Sequence, residues 1–208
     1  MLDFKKEIKL AFSENKMAIL ISLAILIVSL ILGYYLEPYL HSILDPVLQD
    51  FTKQVKTGTI KLTFQSIFSN NIRIVFLMFL FGLFFCFSAL ILSFNGFFVG
   101  YVTATSGNLF KTLLLLLPHG IFELSSCTLA CASGFVLFNF MYRFIKTVIN
   151  EDNISISNKL YVSYVENFDK LKQAVFLLFI ASILMVIAGI IEVYFTVNIA
   201  NFITSVLS

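Results

Sequence analysis

The stretch LLLLLPHGIFELSSCTLACASG, Leu113 to Gly134, decides how the whole chain is read. It is among the most apolar stretches of the sequence, yet it carries a proline, a histidine and a glutamate. Pro118 suits the first turn of a helix, where the amide hydrogen it lacks would have had no partner, so the pattern predicts a fresh helix from that point. His119 and Glu123 then stand one turn apart, and Ser126, Ala130 and Ser133 continue the same face with Gly134 beside it. A stripe of small and polar residues amid hydrocarbon has to face protein. Small side chains let helix backbones approach closely, and a charged group at the bilayer centre costs at least about 2.5–3.5 kcal/mol.

Composition supports a lipid setting for that stretch. The 208 residues are 59% hydrophobic and 12% charged, and a water-soluble domain of this make-up would be left with large exposed apolar patches. The chain is therefore read as a multi-pass protein of the cell membrane whose main partner is the lipid bilayer. With no Trp, the interfacial aromatic belt falls to Phe and to Tyr34, Tyr35, Tyr39, Tyr142 and Tyr194 near the ends of apolar runs. A net charge of +2 without a dense basic patch argues against nucleic acid as a partner. Cys86, Cys127 and Cys131 all fall in apolar segments and make neither a zinc spacing nor a disulfide framework. They are read as packing residues, and no metal, cofactor or catalytic set is expected.

The fold class that follows is an all-α membrane protein of about five transmembrane helices, with one broken or re-entrant segment and an amphipathic interfacial helix. The spans are expected at 17–36, 72–92, 97–117 (the broken one), 119–141 and 174–195, in a single domain covering 1–208. The first, Met17 to Leu36, is twenty uncharged residues, enough at about 1.5 Å per residue to cross a core of about 30 Å. The preceding MLDFKKEIKLAFSENK places Phe4, Ile8, Ala11 and Phe12 on one face and reads as a short interfacial helix. Over 39–57, Leu40, Ile43, Leu44, Val47, Leu48, Phe51 and Val55 recur at helical spacing, a second amphipathic segment lying on the membrane surface or capping the bundle. Asn71 and Arg73 give the second span a polar start with an interfacial anchor. Asn95-Gly96 reads as a tight turn between spans. Gly96, Gly100, Pro118 and Gly120 are the expected helix breaks and turns, and the broken segment is placed to give way near Gly107.

Orientation follows from the flanking cations. With five spans and a cytoplasmic N-terminus, Lys5, Lys6, Lys9 and Lys16 lie inside, together with Arg143, Lys146, Lys159, Lys170 and Lys172 of the long polar loop. Lys53, Lys56, Lys61 and Arg73 lie outside. A re-entrant 97–117 segment would leave four spans and put both ends outside instead.

Several motifs, in order along most of the chain, resemble the stage II sporulation protein M family. They are IFSNNIRI (Ile67 to Ile74) leading into a span with Phe81-Gly82, FNGFFVG (Phe94 to Gly100), PHGIFEL (Pro118 to Leu124) and IIEVYF (Ile190 to Phe195). In spore-forming members the family looks like an anchor for a cell-wall-degrading complex, so the resemblance implies a scaffold more than a catalyst.

Three readings of the polar residues stand side by side. His119 and Glu123 can form a hydrogen-bonded pair that ties their helix to Asn95-Gly96 or to Glu192. Alternatively, His119, Glu123, Glu192 and Asn95 line a cavity for a proton, an ion or a small solute, as intramembrane ionisable groups often do. Catalysis lacks its parts: the second histidine, His41, is in the amphipathic segment, and Ser126 sits in no nucleophile motif. The expected function is therefore a non-enzymatic scaffold or anchor for a membrane or cell-envelope complex, working as a homo-oligomer with further membrane or envelope protein partners. The alternative is a transporter or channel component.

Overall fold

In lipid a backbone amide finds no partner except within its own segment, so uncharged apolar runs resolve into helices. The computed structural model describes residues 4–57, 64–84, 86–107, 109–150 and 155–195, and among them it contains helices and no strand. Seven α-helices follow one another: α1 (Phe4–Glu14), α2 (Lys16–Tyr35), α3 (Glu37–Lys56), α4 (Phe64–Phe81), α5 (Cys86–Thr105), α6 (Leu109–Asn150) and α7 (Ile156–Tyr194). A 3₁₀ turn, Gly82–Phe84, ends α4. Among the described residues five helices are long and apolar enough to cross a membrane: Lys16–Tyr35, Gln65–Phe84, Phe87–Thr105, Thr112–Asn150 and Ile156–Tyr194. This is an all-α, multi-pass membrane protein.

The antiparallel pair α6 and α7 forms the centre. Thr147 meets Asn167 and Ser126 meets Ala181, so the partner's number rises as α6 is followed back toward its start. The core they share is made of small and apolar residues, among them Ala130, Cys131, Ala132, Ala174, Leu177, Ala181 and Ala188. α2 lies against α6, with Ser22, whose hydroxyl donates to the Ala18 carbonyl at 2.9 Å, close to the Cys131 thiol. α4 and the turn after it close on α6 at Gly82 and Gly134, where a methyl group on Gly82 would strike the Gly134 backbone. The Ser88 hydroxyl donates to the Met78 carbonyl across that turn and fixes the reversal from α4 to α5.

One break falls where the sequence reading places it, and three other readings differ. The 97–117 stretch is shared by two helices. It breaks at Ser106-Gly107, where Gly107 takes φ +66° in open space, a conformation that suits a residue without Cβ. Asn95-Gly96 is not a turn: Asn95, Gly96 and Gly100 all lie inside α5. The two glycines serve close packing there, since a methyl on Gly100 would run into the Leu30 carbonyl and one on Gly96 into the Ser29 hydroxyl. Pro118 does not start a helix and Gly120 does not break one; both lie inside α6, which begins nine residues earlier at Leu109. A proline removes one hydrogen bond from a helix, and within membrane proteins neighbouring helices re-satisfy what it frees. Asn71 and Arg73 are likewise interior to α4, half-buried and exposed respectively.

Candidate functional site

On α6, His119 and Glu123 are one turn apart and point the same way, as side chains at i and i+4 must. The antiparallel register brings the last turn of α7 beside them. One donor atom each of His119, Glu123 and Glu192 lies within 4.8 Å of the other two, and all three residues are half-buried. Glu192 is separated from Glu123 by 69 positions in sequence, so the α6–α7 packing alone makes the cluster. Asn95 stands apart from this trio in its bonding: its amide donates to the Cys127 thiol at 3.6 Å, one turn beyond Glu123 on α6. Pro118 and Gly120 flank His119 within the same helix.

Below the cluster the polar stripe is used for helix packing. The fully buried Ser126 hydroxyl donates to the Ala181 carbonyl at 2.6 Å, a direct tie between α6 and α7. Ser133 turns inward on its own helix and donates to the Ala130 carbonyl at 2.7 Å. Ser126, Cys127, Cys131 and Ser133 are buried, which leaves Ser126 and the two thiols no open face toward a substrate. His41, on exposed α3, places Nδ1 2.8 Å from the Pro38 carbonyl and belongs to no cluster with His119.

A second polar centre, which the sequence does not announce, lies at the other end of the α6–α7 pair. The Lys170 ammonium is 2.8 Å from the Glu14 carboxylate, Gln173 donates to the same carboxylate at 2.8 Å, and Asn15 donates to the Gln173 carbonyl at 2.8 Å. The hydrogen bond from Lys170, followed by that from Gln173, holds the Glu14 carboxyl below its ordinary range. Nearby, Lys172 lies 3.3 Å from Glu7 and 3.0 Å from Asp169, and Asp169 foremost holds its ammonium above the ordinary range. This clamp joins α1 and the start of α2 to α7 across 158 residues of sequence. Nothing local could have paired these residues. The polar Asn15 and Gln173 at the edges of apolar runs were the available hint. Tyr101 is a further residue of this kind: it is fully buried on α5 and donates to Asp45 of α3 at 2.6 Å, docking the amphipathic helix on the bundle.

The trio can therefore exchange protons or hold a cation, and the clamp is an ion-pair network that fixes helices. The sequence model of the stage II sporulation protein M family (SpoIIM) matches residues 22–197. An uncharacterized protein of Methanocaldococcus jannaschii, MJ0706, is 31% identical over 96% of this chain and 90% of its own length. A second uncharacterized protein of that organism, MJ0793, is 29% identical over 90% of this chain and 98% of its own length. No solved structure matches the chain. The chain belongs to the stage II sporulation protein M family.

Proposed function

We propose that this member of the family is a non-enzymatic scaffold of the cell membrane that holds a membrane or cell-envelope complex together, self-associates, and keeps its N-terminus on the cytoplasmic side. The observation that carries this reading is the length of its central hairpin. α6 and α7 have 42 and 39 residues, about 60 Å each, twice a hydrocarbon core of about 30 Å. Their polar ends, about 143–150 and 156–173, project beyond the bilayer on the face where α1 is clamped. That projection is not a uniformly polar surface. Ile149, Ile156 and Tyr161 are 68%, 75% and 70% exposed, with Val165 and Phe168 alongside. Apolar groups held out in water on a rigid stalk mark a surface for a protein partner. The exposed Tyr39 and Ile43 of α3 supply a second apolar face.

The test is purification of the native complex from membranes. Replacing Ile149 and Tyr161 together by Lys should strip copurifying protein while leaving the detergent melting temperature nearly unchanged, since exposed substitutions cost within about 0.5 kcal/mol. Identical complexes from the double variant and the natural chain would overturn the reading. Light scattering of the purified chain tests self-association, and a monomer at all concentrations would remove that part of it.

A transport role has one specific observation in its favour, the half-buried His119–Glu123–Glu192 trio. Proteoliposome flux that disappears in Glu123→Gln at unchanged melting would put transport in place of the scaffold.

A further inference from the structure

We propose that His119, Glu123 and Glu192 bind one divalent transition-metal ion of the zinc class. The donor set comes first. One imidazole nitrogen and two carboxylate oxygens lie within 4.8 Å of one another. Zinc bonds of about 2.0–2.2 Å put tetrahedrally arranged ligands about 3.4 Å apart, so small side-chain rotations bring the three atoms onto a common ion. The imidazole matters to the choice of metal. Calcium and magnesium take oxygen ligands, whereas a mixed nitrogen and carboxylate set suits zinc, iron or manganese. Three protein ligands leave a fourth position for water or a partner's group.

Charge supplies the second argument. Between Lys111 and Arg143 the chain has no Lys or Arg, and after Lys172 Glu192 is the sole Asp, Glu, Lys, Arg or His. The apolar stretches from Lys16 to Glu37 and from Arg73 to Lys111 also contain no Lys or Arg between those ends. Two carboxylates held side by side disfavour each other's ionisation, and within two helical turns of either along α6 or α7 the sequence places no Lys or Arg. A doubly charged cation neutralises both carboxylates and leaves an assembly with no net charge, the form that hydrocarbon penalises least.

The frame is suited to holding an ion. His119 and Glu123 stand on one continuous helix, and the Ser126–Ala181 hydrogen bond fixes the register of α7, which carries Glu192. The trio is half-buried and lies close to the end of α7 at Tyr194.

The experiment uses the full chain in detergent, stripped with EDTA, gel-filtered and given zinc chloride alone. Bound metal is counted by mass spectrometry, and zinc-dependent melting is followed in parallel. About one zinc per chain is expected, with affinity reduced at least about tenfold in His119→Ala and in Glu192→Gln, and unchanged in His41→Ala. Uptake of no zinc by the stripped natural chain would overturn the proposal, and so would binding that Glu192→Gln leaves intact. X-ray absorption of the zinc-loaded natural chain needs no variant to fold. A shell of nitrogen and oxygen supports the site, while a sulfur at about 2.3 Å would move the ion to a cysteine and refute it. Zinc uptake is read on the chain alone, so its failure leaves the scaffold reading standing, just as loss of partners would leave zinc uptake standing.

Discussion

Replacing Gly100 by Ala adds a single methyl group at the place where α5 presses its backbone against α2. In the present geometry that methyl falls inside the Leu30 carbonyl, and Gly33 of α2 meets the Phe97 backbone reciprocally. A carbon normally stays about 3.3 Å or more from a carbonyl oxygen, so the two helices have to part by about an ångström. Overpacking of this sort costs about 1–3 kcal/mol, and alanine's better helix propensity offsets about 1 kcal/mol of it. The expected net loss is up to about 2 kcal/mol, and at this chain length each kcal/mol moves the melting temperature by about 2–4 °C. Gly120→Ala is the matched comparison. Among the described residues its new methyl meets Leu116 alone, Cγ at 3.4 Å and Cδ1 at 4.0 Å, so the propensity gain stands alone and the variant should melt at the same temperature or higher, by up to about 1 kcal/mol. Thermal unfolding in detergent, followed by circular dichroism or a thiol-reactive dye, reads both. If the two alanines shift melting equally, or if Gly100→Ala melts above the natural chain, the glycines of FNGFFVG do not serve helix contact and the account of α5 fails.

Three other outcomes can be stated. The Glu14 carboxyl is held below its ordinary value of 4.5 by Lys170 and Gln173, so its stabilising contribution is full above that value and is lost as pH falls through the lowered one; Glu14→Gln should therefore melt below the natural chain at neutral pH and match it in strong acid, and a difference that grows on acidification would contradict the sign. Ser126→Ala removes the hydroxyl donated to Ala181 and should cost about 0.6 kcal/mol, at most about 1.7, the range measured for such bonds between membrane helices; a loss several times larger would assign Ser126 more than a packing bond. Cysteines placed at the exposed positions Ser13 and Asn158 should be labelled from the same side of the membrane if all five apolar helices cross it, because four crossings then lie between them, and labelling from opposite sides would reduce the spans to four.

The helices were legible in the sequence because hydrophobic length is a local property: twenty uncharged residues from Met17 to Leu36 can do little else in lipid. The break near Gly107 was legible for the same reason, since polar and glycine residues interrupt the apolar run there. What misled was the double meaning of glycine and proline. Gly96 next to Asn95 looks like a turn from sequence alone, and only the neighbouring backbone of α2 turns it into a contact surface. Pro118 looks like a helix start, but a membrane helix with packed neighbours can carry it in its interior. His119 and Glu123 were visible as a pair because i, i+4 is again local. Their meeting with Glu192, the Glu14–Lys170–Gln173 clamp and the Tyr101–Asp45 bond all depend on which helices become neighbours, which no local pattern encodes.

The two polar centres have a common cause in the register of α6 and α7. Nineteen positions separate Glu123 from Tyr142, and nineteen separate Gln173 from Glu192. On either helix that is about 28 Å, close to the thickness of a hydrocarbon core. The Lys170–Glu14–Gln173 clamp therefore sits near one boundary of the apolar layer while the His119–Glu123–Glu192 trio lies toward the other. Both are made of groups that cannot slide inward without losing water or a partner. A shift of α7 by one turn along α6 would move Glu192 about 5 Å away from Glu123 and carry Gln173 the same distance from Asn15. Polar bonds at the two ends thus set the same helix position independently, and the small residues between them, Ser126, Ala130, Ala181 and Ala188, are free to be selected for close approach instead of for register.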